Sequence, residues 1–259
     1  TDLMLVTPKP TTWTHAYSCM NGSEELTGTA RFRDQVTVVT GSTRGIGESI
    51  VRRFAAEGAS VVVSGRTTTD GEGIAEDITD EGGTAVFLET DVRSPNDVEA
   101  LFEATAEEFG TVDILVNNAA VQTNTAADEV TLEDWHRVVE TDLRSYWLCA
   151  KHAVAHMNCG SIVNVSSNHA FTTMPAHFPY NAVKAGINGM TRAMALDFGP
   201  EVRVNTVNPG WVAVERTTTD MTDEKRRDLA SIHPVGRIGR PKDVASVVAF
   251  LASDDAAFV

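Results

Sequence analysis

Six short runs of apolar, mostly β-branched residues recur along this chain, and a stretch with helical spacing of apolar residues follows nearly every one of them. The runs span residues 36–40, 61–63, 85–88, 114–116, 162–165 and 202–207. Strands that alternate with helices are typical of a parallel sheet covered by helices on both faces. The sequence therefore predicts an α/β fold, a doubly wound parallel sheet of the Rossmann type.

The helical spacing is clearest over residues 45–57, 131–157, 179–198 and 241–252. Neither an internal repeat nor a linker interrupts the alternation, so residues 32–259 are expected to form one domain. Residues 1–31 are rich in Thr, Pro and Ser and lack periodicity, so we expect them to form an irregular N-terminal arm.

The charge of the chain limits its partners. The 259 residues carry a formal net charge of -15, which disfavours nucleic acid and anionic membranes because both would be repelled.

The chain has no run of about 18 or more apolar residues, so no membrane-spanning helix is expected, and no secretory signal is evident. Cys19, Cys149 and Cys159 are too few and too irregularly spaced for a disulfide framework or a zinc site. We therefore expect a cytoplasmic protein with a small-molecule substrate.

A glycine-rich loop joins the first predicted strand to the first predicted helix. It reads TGSTRGIG, from Thr40 to Gly47. Glycine lets backbone amides approach a pyrophosphate closely, and the N-terminus of the following helix attracts an anion. The position between strand and helix therefore indicates a dinucleotide cofactor. The loop residues expected to bind it are Gly41, Ser42, Thr43, Arg44, Gly45, Ile46 and Gly47.

Further motifs follow in order along the chain. They are Asp91-Val92 after the third strand, Asn117-Asn118-Ala119-Ala120 after the fourth, Ser167 with Tyr180 and Lys184, and Asn208-Pro209-Gly210 after the sixth. Together with the TGxxxGxG loop, they make the chain from about Phe32 onward resemble the short-chain dehydrogenase/reductase family, whose NNAG motif has Gly where this chain has Ala120. The resemblance implies a hydride-transferring oxidoreductase that forms a homodimer or homotetramer. It also implies cofactor contacts from Asp91, Val92, Asn118, Ala119, Tyr180, Lys184, Pro209, Gly210 and Val212.

The end of the second predicted strand bears on the choice between NADP(H) and NAD(H). The chain reads Val63-Ser64-Gly65-Arg66, without the carboxylate that would accept hydrogen bonds from a free 2'-hydroxyl. Arg66 and Arg44 can instead bind a 2'-phosphate through charge-assisted hydrogen bonds, and Ser42 and Thr43 could add neutral ones. NADP(H) is therefore the expected cofactor. The alternatives are that both arginines are merely solvated, or that NAD(H) is used as well.

Tyr180 and Lys184 are four residues apart at the start of a predicted helix, so their side chains share one face. A nearby ammonium favours the ionised form of a tyrosine, which makes Tyr180 the expected general acid and base. The resemblance implies that Lys184 also holds the nicotinamide ribose and that Ser167 orients the substrate oxygen. Ser166 is the competing serine, but period-two alternation points it away from Ser167.

Asp142 stands where the family usually has an asparagine that ties a water to the catalytic lysine. A carboxylate can still bind that water. It would also keep Lys184 charged while partly cancelling the field of Lys184 at Tyr180, so the effect on rate could have either sign. The alternative is that Asp142 only faces solvent on the helix surface.

The segment between Ser167 and Tyr180 carries the expected substrate residues. Its Ser-Ser-x-His sequence followed by Pro and Phe is similar to bacterial glucose 1-dehydrogenases of the family, so His169 either bonds a sugar hydroxyl or only braces the loop. Gln122 and Trp211 are expected to line the same cleft. A sugar or polyol is the leading substrate, and a 3-oxoacyl thioester of an acyl carrier protein is the alternative. A dinucleotide-binding regulator without catalysis is the alternative of another class.

A pair of histidines and the C-terminal end of the chain carry two further expectations. His152 and His156 have a spacing that can bind metal, but no third ligand is evident, so no metal site is expected. Chains of the family continue past the end of this one into a seventh strand, so we expect the chain to lack the last strand of the sheet.

Overall fold

Six parallel strands form one sheet, in the order β3-β2-β1-β4-β5-β6, in the computed structural model, which describes residues 30–219 and 221–259. The strands are β1 (Val36–Thr40), β2 (Ser60–Gly65), β3 (Thr84–Glu89), β4 (Ile114–Asn117), β5 (Gly160–Val165) and β6 (Val202–Val207). In the register of the sheet, Val38 of β1 lies between Val62 of β2 and Leu115 of β4. The strand order reverses beside β1, and sheets of this kind bind ligands at the carboxyl ends of the strands next to the reversal.

Helices connect the strands and cover the sheet. They are α1 (Gly45–Ala56), α2 (Thr68–Asp80), α3 (Pro95–Phe109), α4 (Leu132–Val139), α5 (Ser145–Ala153), α6 (Tyr180–Phe198), α7 (Glu215–Thr218), α8 (Asp223–Ser231) and α9 (Pro241–Ala252). Ser94 caps α3 by accepting a hydrogen bond from the backbone N–H of Asp97, with Pro95 in the first turn. Local capping of this kind fixes where a helix begins after its loop.

The hydrophobic core lies on both faces of the sheet because successive strand residues point to opposite sides. Val39 of β1 belongs to a buried cluster with Phe54 of α1 and Val248 of α9. Its neighbour Val38 belongs to a second buried cluster, with Phe102 of α3. Strands that are buried on both faces read as continuous apolar runs, which explains the runs seen in the sequence.

The predicted doubly wound parallel sheet is confirmed. Two differences concern helices: α7 and α8 were not predicted, and one long predicted helix is divided. The helix expected over residues 131–157 consists of α4, a π-helical turn at Glu140–Arg144, α5 and a short 3-10 turn at Val154–His156. A π-helical turn accommodates one extra residue, so it changes which side chains face the sheet. Asp142 lies in this turn.

The structure bears on three further expectations, which concern the N-terminal arm, the cysteines and membrane-spanning helices. The expected arm lies outside the described residues except for Ala30 and Arg31, and Arg31 is ion-paired with Glu57 at 2.6 Å. Cys149 is a buried free thiol. Among the described residues, no helix is long and apolar enough to cross a membrane.

Candidate active site

A cleft of about 970 Å³ opens at the carboxyl ends of the strands, and loops from both halves of the sheet line it. It contains most of the site residues expected from the sequence: Gly41, Thr43, Arg44, Gly45, Ile46, Gly47, Arg66, Asp91, Val92, Asn118, Ala119, Gln122, Ser167, His169, Tyr180, Lys184, Pro209, Gly210, Trp211 and Val212. Ser42 and Asp142 are the two expected residues that do not line it.

The glycine loop fits closely against the end of β4. Gly41 has a φ of 63°, and a Cβ built on it would lie 2.8 Å from the Cα of Ala119. A Cβ on Gly47 would lie 2.4 Å from the carbonyl oxygen of Gly41. A side chain at position 41 would therefore clash with the segment after β4, and one at position 47 would close the space between the loop and the first turn of α1. The open backbone, directly before a helix N-terminus, fits the pyrophosphate of a dinucleotide.

Ser42 has a structural position that corrects the expected contact from its hydroxyl to the cofactor. The side chain is fully buried, and its Oγ donates to the carbonyl of Val39 at 2.7 Å. The same Oγ accepts from the backbone N–H of Ser64 at 2.9 Å, while the N–H of Ser42 donates to the carbonyl of Ser64 at 2.9 Å. A buried hydroxyl must have hydrogen-bond partners, and here β1 and β2 provide them. Ser42 therefore clamps the loop to β2.

Asn118 ties the same loop to β4. Its side-chain Nδ2 donates to the carbonyls of Thr40 and Gly41, each at 3.0 Å, and its backbone N–H donates to Thr40 Oγ1 at 3.0 Å. The expected cofactor residue thus supports the floor of the cleft as well as lining it.

Cationic side chains gather where the end of β2 meets the cleft. Arg66 and Arg44 are both exposed and line it. Asp91 is ion-paired with Arg93 at 2.5 Å. The hydrogen bond from Arg93 lowers the pKa of the Asp91 carboxyl below its usual value, although burial opposes this, and the charge of Arg66 lowers it further. Arg66 is therefore near Asp91, one of the residues expected to contact the cofactor.

Ser167, Tyr180 and Lys184 all line the same cleft. Ser167 follows β5, Tyr180 is the first residue of α6, and Lys184 is one turn further along that helix. The Nζ of Lys184 lies 5.4 Å from the centroid of the Tyr180 ring. The hydroxyl of Ser166 instead donates to the backbone carbonyl of Lys184 at 2.8 Å, so the structure uses Ser166 to hold α6.

Asp142 contacts Lys184 directly. Its Oδ2 lies 3.3 Å from Nζ, and its Oδ1 accepts from the backbone N–H of Val121 at 2.7 Å. The side chains of Asp142 and Lys184 are 0% and 2% exposed, so the alternative of a helix-surface position is wrong. Because Asp142 does not line the cleft, it acts through Lys184, and we correct its expected role from catalytic residue to positioning residue.

The charge of Lys184 follows from these neighbours. Burial by itself would lower the pKa of the ammonium, but negative charge on Tyr146, Asp142 and Tyr180 raises it above its usual value. Tyr146 is itself deeply buried, and burial raises the pKa of its phenol. Lys184 is thus held as a cation.

Tyr146 was not singled out from the sequence. It is fully buried, and its hydroxyl donates to the carbonyl of Val165 at 3.0 Å. Lys184 Nζ donates to the same carbonyl at 3.2 Å and lies 5.4 Å from the Tyr146 ring centroid. The available signal was its position four residues after Asp142, which places both on one helix face.

The expected substrate residues Gln122, His169 and Trp211 line the cleft. The His169 ring stacks on His177 at 4.6 Å between centroids and meets the Tyr180 ring edge-on at 5.8 Å. Burial lowers the pKa of His169, and the neighbouring His177 lowers it further, so His169 is neutral at pH 7. A neutral imidazole beside Tyr180 can exchange hydrogen bonds with a hydroxyl group.

His233 is a further residue that the sequence did not indicate. Its Nδ1 donates to the carbonyl of Leu229 at 2.7 Å, and its Nε2 accepts from the backbone N–H of Trp211 at 3.2 Å. His233 therefore joins the segment after α8 to the loop after β6, and it lines the cleft. No sequence motif marks this role, because the two bonds are to backbone atoms.

Comparison with known proteins agrees with this geometry. Residues 41–259 match the family model described as enoyl-(acyl carrier protein) reductase. The chain is 38% identical over 233 residues to cis-4-hydroxycyclohexanecarboxylate dehydrogenase of Sinomonas cyclohexanicum, covering 88% of this chain and 93% of the relative. It is 34% identical over 243 residues to glucose 1-dehydrogenase 2 of Bacillus subtilis (strain 168), covering 91% and 92%.

A solved structure gives the same result. The short-chain dehydrogenase/reductase from Serratia marcescens BCRC 10948 is similar with a TM-score of 0.84 and 31% identity, over 88% of this chain and 94% of that one. Fold, motif order and relatives therefore agree, and we conclude that the chain belongs to the short-chain dehydrogenase/reductase family, as an oxidoreductase that acts on CH–OH groups.

Proposed function

We propose that this protein transfers a hydride between NADP(H) and a small polar alcohol or its carbonyl, with Tyr180, Lys184 and Ser167 as the reaction centre. The observation that carries the proposal is the buried Lys184 ammonium, 5.4 Å from the ring centroid of Tyr180, at the edge of a cleft that also contains the glycine loop.

The proton is handled by Tyr180. The positive charge of Lys184 favours the phenolate, so the phenol can give its proton to a carbonyl oxygen in reduction and remove the hydroxyl proton in oxidation. Ser167 lines the cleft and can donate a hydrogen bond to the same substrate oxygen. A bound nicotinamide cofactor supplies or accepts the hydride in this chemistry.

The residues that would hold the cofactor extend from the glycine loop to the loop after β6. The backbone of Gly41–Gly47 suits the pyrophosphate, and Arg66 and Arg44 suit a 2'-phosphate. At the adenine end we propose Asp91 and Val92, and towards the nicotinamide Asn118, Ala119, Tyr180, Lys184, Pro209, Gly210 and Val212. NAD(H) use is compatible with the same cleft, since only Arg66 and Arg44 favour the phosphate.

For the substrate we propose a small hydroxylated compound, bound by Gln122, His169 and Trp211. The two relatives are named for glucose and for cis-4-hydroxycyclohexanecarboxylate, and both are small and polar. A 3-oxoacyl group on an acidic carrier protein is less favoured, since the net charge of -15 would repel such a carrier. We also propose that the protein forms a homodimer or homotetramer.

One panel of assays tests the function. Glucose, cis-4-hydroxycyclohexanecarboxylate and a set of polyols would be offered for oxidation with NADP⁺ or NAD⁺. Ketones and a 3-oxoacyl thioester would be offered for reduction with NADPH or NADH. We expect turnover of at least one small alcohol, with a preference for NADP⁺. Cofactor binding without turnover of any substrate would favour the regulator, and turnover of the thioester alone would favour the acyl reductase.

A further inference from the structure

The Thr43 side chain, in the glycine loop, fills the space beside Gly65 at the end of β2, so a side chain at position 65 would require Thr43 to move. A Cβ built on Gly65 would lie 2.6 Å from Cγ2 of Thr43 and 3.3 Å from its Oγ1. The φ of Gly65 is outside the left-handed region, so the backbone would accept any residue here. The neighbouring threonine, and not the conformation of the strand, therefore disfavours a side chain at position 65.

The backbone around this contact has little freedom to relax. On the loop side, Ser42 is bonded to Ser64 in both directions, each at 2.9 Å, which fixes the residue before Thr43 against the residue before Gly65. On the strand side, Gly65 pairs in register with Glu89 of β3, and its carbonyl accepts from the N–H of Thr90 at 2.9 Å. A clash between a new Cβ and the Thr43 methyl therefore cannot be relieved by sliding the loop along β2.

The contact between Gly65 and Thr43 lies where the protein would bind the ribose that carries either a 2'-hydroxyl or a 2'-phosphate. Gly65, Thr43 and Arg66 all line the same part of the cleft. A carboxylate at the end of the second strand would accept hydrogen bonds from a free 2'-hydroxyl and would repel a 2'-phosphate. Residue 65, the last residue of β2, is the position best suited to such a carboxylate, and it is the position beside the Thr43 methyl group.

We propose that Thr43 is a specificity-determining residue that acts by steric exclusion: its methyl group disfavours a side chain, and hence a 2'-hydroxyl-binding carboxylate, at position 65. Cofactor choice then depends on the pair Thr43 and Gly65 in addition to the charge of Arg66. The proposal rests on the proposed NADP(H) function for its biological meaning, but the steric relation stands on the geometry alone.

A double-mutant cycle tests the exclusion. The proteins are Gly65→Ala, Thr43→Ala and the double variant, with Gly73→Ala of α2 as the matched control because a Cβ there meets nothing within 4 Å. Dissociation constants for NADP⁺ and NAD⁺ would be measured by calorimetry, and the melting temperature without cofactor by circular dichroism. We expect Gly65→Ala to weaken both cofactors about tenfold and to lower the melting temperature, because overpacking strains this contact. The double variant should return to within about threefold of Thr43→Ala.

A second pair of variants tests the specificity. Gly65→Asp alone should bind both cofactors poorly, whereas Thr43→Ala with Gly65→Asp should bind NAD⁺ more tightly than NADP⁺. If Gly65→Ala does not fold, recovery of folded protein in the double variant supports the exclusion, and failure to recover overturns it. A Gly65→Ala variant that behaves like Gly73→Ala, or a Gly65→Asp variant that prefers NAD⁺ without the Thr43 change, also overturns it. An unmodified protein that binds NAD⁺ as tightly as NADP⁺ would instead refute the proposed cofactor, and the alanine cycle would still report on Thr43.

Discussion

Lys184 and Asp142 form an ion pair inside the protein, with Nζ 3.3 Å from Oδ2 and both side chains almost completely withdrawn from solvent. The carboxylate also accepts the N–H of Val121, so it joins α6 to the loop after β4. Because burial alone would lower the pKa of the lysine, this carboxylate maintains the cation on which the proposed chemistry of Tyr180 depends.

Asp142→Asn should remain active with a pH profile of alcohol oxidation displaced to lower pH. Without the carboxylate, no negative charge offsets the positive charge of Lys184 at Tyr180. The rise of the oxidation rate with increasing pH therefore begins at lower pH. The pKa of Lys184 falls as well, because the Asp142 charge raises it, so loss of activity at high pH also begins earlier. Rate profiles of the two proteins from pH 6 to 11 decide this, and superimposable curves would remove Asp142 from the positioning role.

The same substitution should destabilise the fold by about 3 kcal/mol, because removal of one partner leaves a buried charge uncompensated. Denaturant unfolding at pH 7 measures the change. Part of the loss should disappear at pH values where Lys184 of the variant is neutral, which an unrelated packing defect would not produce.

Tyr180→Phe should lower kcat by about 10²-fold or more while leaving cofactor binding nearly unchanged, since general acid–base catalysis is worth about 10²–10⁴-fold. The matched control is Tyr146→Phe, which removes the hydroxyl bonded to Val165 but does not touch the cleft. It should cost about 1 kcal/mol of stability and little activity. A Tyr180→Phe variant that keeps more than about a tenth of the rate would contradict the assignment.

Arg66→Ala should weaken NADP⁺ binding by about 10- to 150-fold and leave NAD⁺ binding almost unaffected, because one charge-assisted hydrogen bond contributes about 1.5–3 kcal/mol. Titration of the variant with each cofactor gives both constants, and NAD⁺ is the internal control. Equal losses for the two cofactors would mean that Arg66 does not bind the 2'-phosphate.

Ser42→Ala should lower the unfolding free energy of the cofactor-free protein by about 1–3 kcal/mol, because it leaves the N–H of Ser64 and the carbonyl of Val39 without their buried partner. Affinity for NADP⁺ and NAD⁺ should fall together, in contrast to Arg66→Ala. If the hydroxyl contacts cofactor instead, the stability of the cofactor-free variant would match that of the unmodified protein.

Local sequence patterns were sufficient for the architecture and for the side chains that share one face of α6. The alternation of apolar runs and helical stretches predicted the parallel sheet, because burial on both faces requires continuous apolar strands. The spacing of Tyr180 and Lys184 predicted one shared helix face, and alternation along β5 separated Ser167 from Ser166, which holds α6. These properties depend on neighbours within about one helical turn or one strand, so the order of residues expresses them directly.

The contacts that position the site were decided only by the tertiary structure. Asp142 meets Lys184 because a π-helical turn and a helix 40 residues later pack together. Ser42 is bonded to Ser64 because β1 and β2 are neighbours, and His233 reaches Trp211 because α8 folds back over the cleft. Each of these bonds joins elements distant in sequence, often through backbone atoms that every residue has. Residue type therefore carries no signal of the partner, and only the packing of the elements selects it.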